Sequence, residues 1–218
     1  MFIELVDALR CPRTHEESWL VLATSRIEQR HIVEGRLGCP VCRAEYPIRA
    51  GIVDLRLDDV EPAPARATVA RDGQRLVDRV PTDHLAAMLN LGDALGFVVL
   101  IGEWGRHADA LLALEQLPPL LLVDPPADVV MRPGLSGVRA GVKLPLAVGA
   151  ARAVAVDDVD ADRLASAAQA TRVGGRLVAP ARAEVPDGVR ELARDEHVWV
   201  GEREAPPSQL VRLHVRRG

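Results

Sequence analysis

Two short apolar runs on either side of an alanine-rich segment constrain the fold of this chain more than any other feature. The runs at 97–101 and 119–123 are rich in Val and Leu and are bounded by glycine, proline or an acid, which is typical of buried strands. Between them, residues 106–117 have apolar side chains at helical spacing. A strand, a glycine turn, a helix and a second strand that ends on Asp124 form the opening unit of a doubly wound α/β sheet.

The segments around this unit continue the same alternation. A helix with Thr82 as its N-cap, running to about Leu91, precedes the first strand. Further strands are predicted near 137–142, 152–156 and 175–179, and further helices near 126–131, 160–172 and 186–194. The last two apolar runs, 197–203 and 209–215, predict an antiparallel hairpin. The predicted fold class is therefore α/β, with a Rossmann-like, mostly parallel sheet that ends in this hairpin.

The first 57 residues have a different character, which predicts a small α+β unit. Apolar residues at helical spacing in 2–10 predict a short helix, and 19–23 with 30–37 predict a hairpin. After a Cys-Pro-Val-Cys turn, the segment 46–55 predicts another turn and a final strand.

Three cysteines in this unit predict a metal site. Cys39 and Cys42 stand three residues apart in a turn, so both thiolates can reach one tetrahedral ion. Cys11 and His15, as a Cys-x-x-x-His pair, complete a Cys₃His set, with His31 as the competing fourth ligand. A closed set of four ligands would make the zinc structural. The alternative is a ribbon without metal that keeps its cysteines as small buried hydrophobes.

Composition supports two domains and excludes several classes. The 218 residues predict a zinc-ribbon-like domain over 1–57, a linker rich in proline, alanine and acids over 58–79, and an α/β domain over 80–218. The net charge of −4 gives no general attraction to nucleic acid or to a membrane surface. The start of the chain lacks the basic region of a signal peptide, and no apolar run reaches about 20 residues. Reduced cysteines then favour the cytoplasm.

The amino-terminal unit resembles a known family. Its helix, Cys-Pro, hairpin, Cys-Pro-Val-Cys and Tyr46–Ile52 string resemble the small zinc-ribbon-like activator subunit of tRNA and translation-factor methyltransferases. The resemblance covers about residues 2–57 and implies a helix packed on a small sheet that covers an apolar face of a methyltransferase. Thr14 stands where metal-binding members of the family have a second cysteine.

The segment 80–218 resembles a class I S-adenosylmethionine-dependent methyltransferase domain. The matching segments, in the family's order, are Gly105–Ala108, Lys143–Ala147 and Thr171–Val178, followed by the final hairpin. The resemblance implies S-adenosylmethionine as the cofactor. It assigns Gly102 and Gly105 to the turn that approaches the ligand, and Asp124 to the ribose hydroxyls.

Two acids that the resemblance requires are absent. The first strand has Val99 and Leu100 where an acid would bind the cationic end of the cofactor, and Ala140 stands where an acid would bind the adenine amine. Glu103, in the centre of the turn, has two interpretations. It either replaces the first acid and binds the cationic end of the cofactor, or it is a solvated loop residue without a role toward the cofactor.

The remaining polar and aromatic residues leave the chemistry open. Trp104 is predicted either to stack on adenine or to occlude an empty pocket. Asp157 and Asp158 are expected to cap a helix rather than to catalyse, and His107 is expected to be structural. With no base near a nucleophile, the catalytic residues are unknown.

Two functions of different classes follow from these observations. The first is a methyltransferase-like pseudoenzyme, a binding or scaffolding subunit for a protein partner or a methyltransferase-type substrate. The second is an active S-adenosylmethionine-dependent methyltransferase with an atypical glycine turn. A metal-stabilised interaction protein without a small ligand is a third interpretation.

Overall fold

A computed structural model describes residues 1–57, 72–91, 96–114 and 118–205. Its strands form one sheet of 11 strands in the order β1-β2-β3-β4-β7-β6-β5-β8-β9-β11-β10. The first four strands belong to the amino-terminal part and the other seven to the carboxyl-terminal part. The two parts therefore share one sheet.

The amino-terminal part is antiparallel. A 3₁₀ helix, η1, spans Ile3–Ala8, and the strands are β1 (Val21–Glu28), β2 (His31–Gly38), β3 (Glu45–Arg49) and β4 (Ile52–Asp54). Each strand pairs with the next in antiparallel register. The short connections at 29–30 and 50–51 include positive-φ residues at each turn, as tight hairpins require.

The carboxyl-terminal part has the doubly wound order. Its strands are β5 (Val98–Ile101), β6 (Leu120–Val123), β7 (Leu135–Arg139), β8 (Ala151–Ala155), β9 (Thr171–Pro180), β10 (Val189–Arg194) and β11 (Val198–Arg203). Its helices are α1 (Thr82–Met88), the 3₁₀ helix η2 (Gly102–His107), α2 (Ala108–Leu112) and α3 (Ala161–Ala170), and residues 72–77 are also helical. Strands β5 to β9 are parallel and lie in the order 3-2-1-4-5 when counted from β5.

The seam between the two parts is a parallel strand pair. β4 pairs with β7, with Ile52 opposite Gly137. The backbone N–H of Gly137 donates to the carbonyl of Gly51 at 3.2 Å, and the N–H of Phe2 donates to Oγ of buried Ser136 at 2.9 Å. The β4–β7 bonds satisfy backbone groups that a sheet edge would otherwise expose.

Apolar side chains form a core on each face of this sheet. One core joins η1, the inner residues of β2 to β4, α3 and Trp199. The other joins α1, α2, Trp104 and the opposite faces of β5, β6 and β8. β5 and β6 are buried along their whole length, as their unbroken apolar runs predict.

Several sequence predictions are wrong in detail. The segment predicted as a helix over 186–194 is the edge strand β10, whose pairing with β11 overrides its helix-favouring residues. β11 has β9 on one side and β10 on the other, so it has no free edge for the run 209–215, which lies outside the described residues. Residues 126–131 are not helical. The N-cap of α1 is Pro81 rather than Thr82.

Candidate functional site

Four side chains of the amino-terminal part converge on one point. Cys11 follows η1, His15 lies in the next loop, and Cys39 and Cys42 lie in the turn between β2 and β3. Their donor atoms all lie within 4.8 Å of one another. The Sγ atoms of Cys11 and Cys42 are 3.7 Å apart, and Sγ of Cys39 is 3.4 Å from Nε2 of His15. Ligands of a tetrahedral zinc ion, at about 2.0–2.3 Å from the metal, are about 3.3–3.8 Å apart, so these two separations are those expected around one ion, and the four residues could hold it.

The surroundings of the cluster favour the ligating forms of two donors. Burial acts to raise the pKa of Cys39, but the backbone N–H groups of Cys42 and Val41 and the neighbouring thiols lower this pKa to about 6. Nδ1 of His15 lies 2.5 Å from the carbonyl oxygen of Glu16, which suits a proton on Nδ1 and leaves the Nε2 lone pair for a metal. Thiolate and neutral imidazole are the forms that zinc requires.

His31, the competing fourth ligand, lies at the seam instead. Its ring centroid is 4.0 Å from that of Phe2, and its Nε2 accepts a hydrogen bond from the N–H of Gly134 at 3.1 Å. That nitrogen is therefore engaged by the carboxyl-terminal part. Of the two histidines, only His15 is placed with the three thiols.

A second polar cluster lies at the carboxyl ends of the parallel strands, around the glycine turn. Gly102 has a φ of +61°, which only glycine adopts readily, and a Cβ there would collide with Oδ2 of Asp157. Asp157 follows β8 and accepts a hydrogen bond from the N–H of Glu103 at 2.8 Å. The turn's backbone donor is thus bound by a carboxylate of the same chain.

The other residues of the turn also contact the chain itself. Oε2 of Glu103 accepts a hydrogen bond from Nε of Arg106 at 2.7 Å, and Nη1 of Arg106 lies 2.5 Å from Oδ2 of Asp128. A Cβ on Gly105 would lie 3.3 Å from Cδ of Pro126, so this proline packs against the turn. Glu103 is therefore in an ion pair, and its role toward a cofactor stays a prediction.

Asp124 directly follows β6 and has a partner on each carboxylate oxygen. Oδ1 accepts from the N–H of Ala140 at 3.0 Å, and Oδ2 accepts from Nη2 of Arg163 at 2.9 Å. Nη1 of Arg163 also donates to the carbonyl of Gly141 at 2.6 Å, and its Nε lies 3.6 Å from Oδ2 of Asp158, beyond hydrogen-bond distance. A buried guanidinium thus sits against the acid that the resemblance assigns to the ribose.

Asp157 is the most perturbed acid of this cluster. Its side chain is 6 % exposed, and burial raises its pKa to about 7. It does not cap α3, because the cap is Asp160, whose Oδ1 accepts from the N–H of Arg163 at 2.9 Å. Residues 72–77 lie directly above, where a Cβ on Gly73 would be 2.7 Å from Oδ2 of Asp157. The expectation that Asp157 caps a helix is therefore wrong.

Trp104 and His107 lie below the turn, in the core that includes α1. Trp104 is fully buried, with its ring centroid 5.6 Å from that of His107. Nδ1 of His107 is 2.7 Å from Oγ1 of Thr82, and burial lowers the pKa of His107. The indole therefore forms part of the core. Its predicted roles toward a cofactor pocket, stacking on adenine or occluding the pocket, stay predictions.

Arg163 is the important residue that sequence reasoning missed. It lies in an alanine-rich helix four residues before Ala167 and seven before Ala170, all three on the buried side of α3. A charged residue at a buried helical position requires a partner. That spacing is a signal for an internal ion pair, although it does not identify Asp124 as the other member.

Comparison with known proteins gives similarity at the level of structure. No protein-family model matches the chain, and no curated protein matches it in sequence. A complex between the Haloferax volcanii Trm112 methyltransferase activator and a putative methyltransferase matches with a TM-score of 0.46 and 11 % identity, over 67 % of this chain and 100 % of that chain.

Two further solved structures are methyltransferases. Geranyl diphosphate C-methyltransferase from Streptomyces coelicolor A3(2) matches with a TM-score of 0.39 and 18 % identity over 56 % of this chain, which spans 52 % of that protein. Burkholderia thailandensis 1,6-didemethyltoxoflavin-N1-methyltransferase matches with a TM-score of 0.36 and 16 % identity, over 84 % of this chain and 83 % of that chain.

Among helices in the described ranges, none has the length and apolar character needed to cross a membrane.

Proposed function

We propose that this chain is a methyltransferase-like protein with a fused activator-type zinc-ribbon domain, and that it acts as a non-catalytic binding or scaffolding subunit. The observation that carries the proposal is the pairing of Asp124 with Arg163. A ribose diol would have to displace this guanidinium, which also bonds Gly141, from a site where it is largely buried. Breaking a buried ion pair leaves an uncompensated charge and costs about 3–5 kcal/mol.

The glycine turn supports the same conclusion. Asp157 holds the N–H of Glu103, and residues 72–77 lie on top of that carboxylate. The sequence also lacks acids at Val99, Leu100 and Ala140. Losing a charged hydrogen-bond partner costs about 1.5–3 kcal/mol, or roughly ten- to a hundredfold in affinity. We therefore expect a dissociation constant for S-adenosylmethionine weaker than about 100 μM.

The amino-terminal cluster is proposed to hold one structural zinc ion through Cys11, His15, Cys39 and Cys42. Four protein ligands leave no open coordination position, so the ion would stabilise the fold rather than act on a substrate. The β4–β7 pairing joins this domain to the methyltransferase-like sheet, as an activator fused to its partner would be. The binding role is then directed at a protein partner or a methyltransferase-type substrate.

Calorimetric titration of the zinc-loaded full chain with S-adenosylmethionine and S-adenosylhomocysteine tests the proposal. Wild type should give no dissociation constant below about 100 μM. Arg163→Ala should bind no more weakly than wild type, because the side chain it removes is the one that occupies Asp124. Arg36→Ala, an exposed arginine on β2, is the matched control.

Low-micromolar binding by wild type that is lost in both Asp124→Ala and Glu103→Ala would overturn the proposal. That result would establish the second function, an active methyltransferase with an atypical turn. It would also assign Gly102, Glu103, Gly105 and Asp124 to the cofactor.

A further inference from the structure

A cavity of about 290 Å³ lies beside the glycine turn, at the carboxyl ends of β8 and β9. Its floor includes Asp157 and Pro180, one wall is the segment from Asp72 to Arg79, and the opposite wall includes Glu196 and His197. This volume suits a small molecule. Neither Asp124 nor Arg163 lines the cavity, so a ligand there would not have to displace the Asp124–Arg163 pair.

The cavity walls have three arginines and two acids, Asp72 and Glu196, with Asp157 at the floor. Arg75 and Arg79 are four residues apart in one helical segment and its following turn, and both line the cavity. Among the described residues, neither guanidinium has a hydrogen-bond or salt-bridge partner. A third arginine, Arg182, lines the cavity from the segment after β9 and pairs with Asp72 at 2.8 Å.

The acids of the cavity neutralise these arginines only in part. Asp72 is hydrogen-bonded to Arg182 and also interacts electrostatically with Arg75, and the side chain of Glu196 is 84 % exposed. Asp157 lies at the floor, where the N–H of Glu103 holds one of its oxygens. Arg75 therefore shares Asp72 with Arg182, and Arg79 has no carboxylate partner among the described residues, so the guanidinium groups of the walls are only partly compensated.

We propose that this cavity binds a small molecule that carries a phosphoryl group, held by Arg75 and Arg79 with its remainder directed toward Asp157. A phosphoryl group has three acceptor oxygens and up to two charges, so it can serve two guanidinium groups at once. A carboxylate has a single charge and is the weaker match. The inference concerns binding and requires no bound S-adenosylmethionine.

An amide NMR titration of the ¹⁵N-labelled full chain with inorganic phosphate, at constant ionic strength and without S-adenosylmethionine, tests this inference. Saturable shifts should appear at residues 75–79 and 181–182, with a dissociation constant of about 5 mM or tighter. Acetate should bind at least about fivefold more weakly, because one charge replaces up to two. Equal binding of both anions, or none of phosphate, would overturn the inference.

Two sets of variants locate the anion. Arg75→Ala with Arg79→Ala should weaken phosphate binding by about tenfold or more, whereas Arg36→Ala with Arg49→Ala removes the same charge from the amino-terminal part and should leave it unchanged. Asp157→Asn should tighten binding at pH 8, because it removes the only negative charge at the floor. If both double variants weaken binding equally, or Asp157→Asn does not tighten it, the anion does not occupy this cavity. Micromolar binding of S-adenosylmethionine would contradict the proposed function alone.

Discussion

The two polar clusters of this protein differ in where their groups find partners. In the amino-terminal cluster, the donor atoms of Cys11, His15, Cys39 and Cys42 face a common point and contact one another only through weak sulfur interactions. At the carboxyl ends of the strands, Asp124 pairs with Arg163, and Asp157 bonds the turn. Donors that lack strong internal partners are ready for a ligand, whereas a network that satisfies itself must be broken before a ligand binds.

The two parts therefore resemble known proteins in different ways. The amino-terminal part has both the spacing and the arrangement of a possible metal site, with His15 beside the three thiols. The carboxyl-terminal part has the doubly wound strand order, but Arg163 lies on Asp124, the acid that the resemblance assigns to the ribose. A fold and one matching residue therefore do not establish a cofactor site.

The largest expected effect is at the amino-terminal cluster. Cys39→Ser should reduce bound zinc from about one ion per chain and should destabilise the amino-terminal part by on the order of 5 kcal/mol, because metal binding contributes folding free energy. Metal analysis and chemical denaturation of the purified chain measure both quantities.

The two histidines supply a matched control for this prediction. His15→Ala should lose zinc, and His31→Gln should retain it, because His31 binds the N–H of Gly134 at the seam. Zinc loss in His31→Gln with retention in His15→Ala would reverse the ligand assignment. If wild type without metal is as stable as wild type with zinc, the amino-terminal cluster is not a structural metal site, and its contrast with the cluster at the strand ends fails.

The next effect is the pH dependence that Asp157 imposes. Its pKa is about 7 in the folded chain, against an ordinary value near 3.8, because of burial. The folded state therefore binds more protons than the unfolded state between about pH 4 and 7, and stability falls as the pH rises through this window. The loss is at most about 4 kcal/mol.

Asp157→Asn should remove most of this dependence. The variant should be more stable than wild type at pH 8 and about as stable at pH 4, as measured by chemical denaturation at both pH values. Asp162→Asn, on the exposed side of α3, is the control and should keep the wild-type slope. If the stabilities of wild type, Asp157→Asn and Asp162→Asn all rise by the same amount between pH 5 and 8, Asp157 is solvated.

The sequence predicts those features that depend on local pattern. β5 and β6 are unbroken apolar runs, and their positions agree with the predicted strands. The turn that contains Cys39 and Cys42 is likewise predicted from the local spacing of the two cysteines. β10 has helix-favouring residues and becomes a strand only because β11 offers an edge, and Arg163 acquires its role only when α3 lies beside Asp124. These two features depend on tertiary contacts that periodicity does not contain.

A smaller effect is expected when the Asp124–Arg163 pair is divided. Single Arg163→Ala or Asp124→Ala substitutions should each destabilise the chain by about 3 kcal/mol, because each leaves a partly buried charge without its partner. A double-mutant cycle should give a coupling of about 1–3 kcal/mol. Arg194 and Glu191, an exposed pair at 2.6 Å on β10, should couple by less than about 1 kcal/mol. Equal coupling energies for the two pairs would show that the Asp124–Arg163 pair is as solvated as the surface pair.

The smallest effect is expected at the outer layer of the same network. Arg106 joins Glu103, whose side chain is 13 % exposed, to Asp128, whose side chain is 65 % exposed, and its own side chain is 33 % exposed. Water can replace part of what the half-exposed guanidinium provides, so Arg106→Ala should cost about 1–2 kcal/mol in denaturation. The same variant frees Glu103, which would then be available to a cationic ligand. Calorimetry of Arg106→Ala should still show S-adenosylmethionine binding weaker than about 100 μM, because Arg163 continues to occupy Asp124. A gain to low-micromolar affinity would mean that Arg106, and not the buried pair, keeps the cofactor out.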